Sequence, residues 1–365
     1  MNGLSQKQYL ELPLPTEDDP RSDQQRILDS LMAAGVEERV HIPVHILREL
    51  YPLLDNAKWK ITVSLAWNGE NWEMVEIEEG DTTAQHYGLA VDLGSTTVVA
   101  RLLDCNSGEI LKEVSCFNKQ IQWGTDILSR IFYCKDNKEK LEEVRRATVE
   151  SICECMDKLD ASHSALSMVI AGNTTMIHFL LGMDAFCVFY TPHAVHADRP
   201  GFQLARDLDI PLKGYVYCYP AKSNYLGGDI ISGMIDTELY KKNEISVFFD
   251  IGTNGELVIG NKEFLLCGAG AAGPALEGGV VRTGMRADIG AVDEGNIYVH
   301  VIGSHKEDSG SHEKNSGNHE ENSSGEEPRG ICGSGIIDLI AELFLEGWID
   351  IRGKLSPEKS PLIQE

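Results

Sequence analysis

The sequence predicts an α/β protein in which a small α+β domain precedes two copies of one strand-rich unit. Three observations carry this. The buried-type strands Tyr87-Gly-Leu-Ala-Val-Asp92 and Ile245-Ser-Val-Phe-Phe-Asp250 both end on an aspartate and run into a glycine turn. Each is followed by two further strand-like segments on short turns, an internal duplication. Residues 22–84 carry helix and hairpin signals of their own before the first copy begins.

The elements follow in order. Residues 1–21 are polar and hold Pro13, Pro15 and Pro20, which predicts an extended or disordered lead-in. Helices are expected near 22–34 and 43–54, the second opened by Pro43. The alternating runs Lys58 to Trp67 and Trp72 to Ile77, joined by Asn68-Gly-Glu-Asn71, predict a hairpin that closes the small domain at residue 84.

The first lobe, 85–244, opens with strands Tyr87 to Asp92, Thr97 to Asp104 and Glu109 to Phe117. Helices near 124–133 and 138–159, a strand from Leu166 to Ala171 and a helix from Asn173 to about Leu181 come next. The second lobe, 245–365, repeats the opening with strands at Ile245 to Asp250, Glu256 to Gly260 and Glu263 to Cys267, and carries a helix from Gly335 to Glu346. Residues 304–328 contain no aliphatic or aromatic side chain, which predicts a disordered insertion. His305, His312 and His319 recur every seven residues within it, a metal-binding pattern that an insertion expected to be disordered would not hold in place.

With 365 residues the chain exceeds the size of one growing core, so several domains are expected. A formal charge of −25 and the lack of a basic cluster argue against nucleic acid as a partner. The apolar runs are shorter than the roughly 20 residues that span a bilayer, and the N-terminus has no secretory core. A soluble cytoplasmic protein without membrane contact is expected. Nine cysteines without a CxxC pair read as reduced, mostly buried thiols.

The chemistry concentrates in the two turns. In Asp92-Leu-Gly-Ser-Thr-Thr97, Gly94 allows backbone N–H groups to approach phosphate oxygens. Ser95, Thr96 and Thr97 add hydroxyls there, and Asp92 is placed to hold Mg²⁺ through water. One such turn is also an ordinary hairpin turn. A second, Asp250-Ile-Gly-Thr-Asn-Gly-Glu256, repeats the order with Asp250, Gly252, Thr253, Asn254, Gly255 and Glu256. Two clamps in duplicated halves suit a triphosphate gripped from opposite sides, with Asp92 and Asp250 as catalytic and metal-holding acids.

This pattern resembles the acetate and sugar kinase, heat-shock protein 70 and actin superfamily, whose lobes are RNase H-like. Within it the sequence is similar to the ATP-dependent reductive activators of corrinoid proteins. The segments that carry the likeness are Asn118-Lys-Gln, Gly124-Thr-Asp-Ile-Leu-Ser-Arg-Ile131, Ala171-Gly-Asn-Thr-Thr-Met-Ile-His178, Leu226-Gly-Gly-Asp-Ile230, Ala271-Ala-Gly-Pro-Ala-Leu-Glu-Gly278 and Gly330-Ile-Cys-Gly-Ser-Gly-Ile-Ile-Asp338. The resemblance implies ATP and Mg²⁺ as ligands, with Asn173, Gly273, Glu277 and Gly333 among the nucleotide-binding residues. It implies reduction of cob(II)amide to cob(I)amide on a corrinoid protein that serves a methyltransferase system. The electron would come from an external or separately encoded donor.

The sequence departs from that pattern in places. The family's N-terminal [2Fe–2S] domain needs about four cysteine ligands, and no cysteine precedes Cys105, so no cluster is expected in this chain. The superfamily's late Gly-Gly adenosine motif is also missing before Glu365. A fragment cut at both ends, or separately supplied parts, would account for both.

Other readings stay open. Asp229 near the start of a helix suits a carboxylate that orients the attacking water or Mg²⁺, or a plain N-cap. Asp126 and Arg130, one turn apart, suit an ion pair or cleft-facing groups. The loop Thr191-Pro-His-Ala-Val-His-Ala-Asp-Arg-Pro200 reads as hydrogen-bonded or partner-contacting rather than metal-binding. Functional rivals are a sugar or carboxylate kinase, an activator of a 2-hydroxyacyl-CoA dehydratase-type enzyme, and a non-enzymatic ATP-binding module. A homodimer is one assembly to be considered.

Overall fold

A computed structural model describes residues 3–124, 126–161, 165–224, 226–251, 255–270, 291–295, 299–301 and 329–359. The insertion expected at 304–328 lies outside them. The chain divides into two compact units, residues 1–248 with 259–267, and residues 249–258 with 268–365.

The small domain contains β1 (Ser5–Glu11), α1 (Asp23–Ala33), β2 (Val40–His41), α2 (Val44–Asn56), β3 (Lys60–Trp67) and β4 (Trp72–Glu79). Its sheet runs β1-β3-β4-β2. The Ser22 side chain caps α1 by accepting from Gln25 N, and Pro43 opens α2. Ile46, Leu50 and Leu54 recur every fourth residue on α2, so one face is buried in the core with Ile61, Val63 and Leu65 of β3.

The expected disordered lead-in is corrected here. Residues 5–11 pair antiparallel with β3 from Ser5–Ala66 to Glu11–Lys60. The prolines fall beyond the strand. The loop that holds them is fastened by Arg26, which is fully buried, donates to Pro13 O and pairs with Asp19 at 2.6 Å. The guanidinium adds to a Thr16–Asp19 bridge and Arg21–Asp19 contacts within the loop itself.

The first lobe is built on β5 (Tyr87–Leu93), β6 (Thr97–Asp104) and β7 (Ile110–Phe117), followed by α3 (Ile127–Cys134), α4 (Lys138–Lys158), β8 (Ala165–Gly172) and α5 (Thr174–Leu180). Short strands β9 (Gly201–Leu204) and β10 (Tyr215–Cys218) precede α6 (Gly228–Thr237). The sheet order is β7-β6-β5-β8-β10-β9. β5, β6 and β7 form an antiparallel meander, whereas β8 lies parallel to β5, a pairing that requires the long crossover through α3 and α4. Strand alternation puts Leu89, Val91 and Leu93 into the core with Ile152, Cys155 and Met156 of α4, and leaves Asp92 on the other face.

The small domain is joined to this lobe by packing and polar contacts. Ala66, Val75 and Leu166 form a buried apolar cluster with Tyr215 against it. Tyr215 donates to Glu73 at 3.0 Å, and Lys213 pairs with Glu76. Ser5 Oγ lies 2.9 Å from His86 Nε2 and 3.1 Å from Ser167 Oγ. A Cβ on Gly214 would sit 2.9 Å from the Ala66 Cβ, so Ala66 of β3 packs directly over this glycine's backbone.

The second lobe opens with β11 (Ser246–Ile251), β12 (Gly255–Gly260) and β13 (Leu265–Gly270), in sheet order β11-β12-β13. A further sheet combines β14 (Ala291–Gly295) with β15 (Val299–Val301) antiparallel and β16 (Gly330–Ile331) parallel, and α7 (Gly333–Leu345) follows. A Cβ on Gly335 would lie 2.3 Å from Val292 O, which places α7 directly on β14. Among the described residues no helix is long and apolar enough to cross a membrane.

Candidate functional site

The turn after β5 is closed by its glycine. A Cβ on Gly94 would lie 2.4 Å from Thr97 O, backbone against backbone, so another residue there would force the turn open. Asp92 is exposed, Ser95 is buried, and Thr96 and Thr97 are half-buried. Asn118, fully buried just after β7, holds the turn from beneath. Its Nδ2 donates to Gly94 O at 2.9 Å, and its backbone N donates to Thr96 O at 2.8 Å.

Two further segments reach this end of the sheet. Asn173 caps α5, its side chain accepting from Met176 N at 3.0 Å, immediately after Gly172 ends β8. A Cβ on Gly172 would lie 2.8 Å from Leu93 O. One on Gly227, which opens α6, would lie 2.4 Å from both Asn173 Cα and Gly172 O. Glycines thus let the ends of β5 and β8 and the start of α6 touch backbone to backbone. The N-terminus of α6 gives this corner a positive partial charge.

Asp229 sits inside the first turn of α6, half-buried, and accepts from Ile230 N at 2.8 Å. The plain N-cap reading is therefore corrected, because Gly227 occupies the cap. Nearby, a cavity of about 570 Å³ opens on the sheet face away from α4, lined in part by Asp92, Arg101, Ala171, Tyr219 and Asp236.

In the second lobe, Asp250 is half-buried on β11, and burial pushes its carboxyl pKa above the usual carboxylate value. Gly255 begins β12 and Glu256 beside it is buried. Gly252, Thr253, Asn254, Gly273 and Glu277 lie outside the described residues. Gly333 is buried in the first turn of α7, where backbone N–H groups have no helical partner.

Other candidates resolve differently. Asp126 is the N-cap of α3, accepting from Ser129 N at 2.8 Å and from Ser129 Oγ at 2.6 Å. Arg130 turns inward, fully buried, and donates to Gly124 O at 3.0 Å and Gln120 Oε1 at 3.1 Å. Neither the ion pair nor a cleft-facing arginine is what these contacts form. His193 Nδ1 lies 2.9 Å from Val188 O, and Asn224 Nδ2 donates to His193 O, so the 191–200 loop is hydrogen-bonded.

Asn118, Gly172 and Gly227 were not among the site residues the sequence singled out. The sequence carries no clear signal for Asn118: the pairing of Thr97 with Phe117 depends on a register shift between Leu102 and Leu103 that the turn at Asn106-Ser-Gly108 does not announce.

Three family models match in succession: the RACo linker region at residues 1–84, the RACo middle region at 87–242, and the C-terminal domain of RACo, the ASKHA domain, at 244–365. The chain belongs to the RACo family. It is 32% identical over 279 residues to corrinoid activation enzyme RamQ of Eubacterium limosum, across 73% of this chain and 43% of that protein. It is 24% identical over 288 residues to [Co(II) methylated amine-specific corrinoid protein] reductase of Methanosarcina barkeri, across 74% and 53%. A solved structure of a reductive activator for corrinoid,iron-sulfur protein superposes with a TM-score of 0.81 at 33% identity, covering 99% of this chain and 56% of that one. The chain spans about half the length of these relatives. The duplicated actin-like, RNase H-like α/β fold expected from the two turns is the fold of this family.

Proposed function

We propose that this chain is the ATP-binding part of an activator that drives one-electron reduction of a corrinoid protein's cob(II)amide to cob(I)amide, for use in methyl transfer. The observation that carries the reading is the glycine-packed corner where Asp92, the Gly94 turn, Asn173 and the start of α6 converge. A glycine-packed surface, backed by N–H groups and edged by a carboxylate, fits a phosphate chain with its cation.

In this reading Gly94, Ser95, Thr96 and Thr97 bind one side of the phosphates through N–H and hydroxyl donors. Gly252, Thr253, Asn254, Gly255 and Glu256 bind the other side. Asp92 and Asp250 hold Mg²⁺ through water, and Asp229 orients the attacking water. Asn173 and Gly333 present helix starts, and Gly273 and Glu277 contribute nearer the nucleoside. ATP, when bound, supplies the hydrolytic free energy that makes an uphill electron transfer proceed. The partners are a corrinoid protein with its methyltransferase system and a separate electron donor, in the cytoplasm, with a homodimer as the assembly to look for. The division at residues 84 and 244 is the domain organisation we adopt for this machine.

Calorimetric titration with Mg·ATP tests the clamps. Asp92→Ala and Asp250→Ala should each weaken binding by at least about 100-fold, in line with loss of a charge-assisted metal contact. Retained affinity in both variants would overturn the assignment. ATP hydrolysis stimulated by a Co(II) corrinoid protein, and not by sugars or carboxylic acids, tests the activity.

A further inference from the structure

We infer that Asn118 is a positioning residue for the first phosphate turn: by gripping the carbonyls of Gly94 and Thr96 from the core side, it aims the N–H groups of Ser95 and Thr97 at the ligand. The inference rests on the reading of this turn as a phosphate grip.

The argument is one of peptide geometry. In a trans peptide the C=O and the following N–H point in opposite directions. Gly94 O accepts from Asn118 Nδ2 at 2.9 Å, and Thr96 O accepts from Asn118 N at 2.8 Å. Both peptide planes are therefore fixed with the N–H groups of Ser95 and Thr97 pointing away from Asn118. The second bond also makes Thr97 and Phe117 a non-hydrogen-bonded pair of the β6–β7 ladder, so the Thr97 N–H is not used on β7.

The grip is itself braced. Asn118 Oδ1 accepts from Gln120 N at 3.0 Å, which fixes the amide so that its NH₂ faces Gly94. Gln120, also fully buried, donates to Thr148 Oγ1 on α4 and accepts from Arg130 at 3.1 Å. Lys119 N donates to Ser151 Oγ of α4 at 3.0 Å. The turn is thus referenced to α4 through Lys119 and Gln120, the two residues that follow Asn118. Asparagine fits this place because one amide offers a donor to Gly94 and an acceptor to Gln120, whereas aspartate would set a second acceptor against the Gly94 carbonyl.

The test is binding of Mg·ATP, Mg·ADP and adenosine to the full chain carrying Asn118→Asp, which keeps size and the Gln120 contact, and to Asn118→Ala in case the carboxylate prevents folding. ATP and ADP should bind about 10-fold or more weakly, as when one buried hydrogen bond is broken, with adenosine unchanged. Unchanged ATP affinity in the folded variants, or adenosine affinity falling in step with ATP, would overturn the positioning role. Failure of the unmodified chain to bind ATP overturns the reading of the turn and the inference with it, and the control titration shows that case separately.

Discussion

Leu93 and Ile251 hold the same place in the two repeats, directly after the acid that ends each strand, yet their surroundings differ. Leu93 is fully buried, on a face of β5 shared with Leu89 and Val91, while Ile251 is 50% exposed and its neighbours Val247 and Phe249 are 60% and 54% exposed. The acids differ in the opposite sense. Asp92 stands on the open face of its sheet, whereas Asp250 lies on the more covered face of β11 and has its pKa raised by that burial. One sequence pattern therefore places its two carboxylates in unlike surroundings, one exposed and one half-buried. Burial of the kind that surrounds Asp250 disfavours the charged form of a carboxyl.

The largest effect that would sharpen this contrast is a pair of truncations. Leu93→Ala should cost about 2–5 kcal/mol in chemical denaturation of the first lobe. Ile251→Ala should cost less than about 1 kcal/mol, because half its surface is already solvated. Equal losses would break the comparison. Next comes Gly94→Ala. Its Cβ meets the Thr97 carbonyl, a backbone atom that cannot swing away, so a loss of about 1–3 kcal/mol and weaker ATP binding in titration are expected.

The smallest effect is a pH slope. The Asp250 carboxyl holds its proton more tightly folded than unfolded, so between the ordinary value of 3.8 and its raised value the folded chain binds more protons. Stability from this group then falls as pH rises through that window. Asp250→Asn removes the slope, and its stability advantage over the unmodified chain should widen from pH 3.5 upward until the raised pKa is passed. A constant difference across the series would show that burial does not raise the Asp250 pKa.

Much of this was legible in the sequence, for identifiable reasons. The hairpin of β3 and β4 and the meander of β5 to β7 announce themselves through alternation and turn residues, and Asn173 through its place before an apolar helix. The strands β9 and β10 have four residues each, too short for periodicity to register; β10 pairs with the edge that β8 offers, and β9 with β10. β1 was hidden by polar composition, since its partner β3 lies some 50 residues on and only the pairing makes it a strand. In the site, residues with hydroxyls and carboxylates were visible by type. Asn118, Gly172 and Gly227 act through backbone proximity, which no residue type advertises.

The junction that ties the small domain to the first lobe has a mechanical consequence. With Ala66 packed directly over Gly214, the apolar cluster of Ala66, Val75 and Leu166, and polar contacts from Ser5 and Glu73, the sheets of the two domains are fastened at several separate points. Such a joint resists bending about any single axis. A rotation of the first lobe would carry residues 3–84 along as a rigid lever, so that a small angular change at the phosphate turn becomes a larger sweep at the lever's far end.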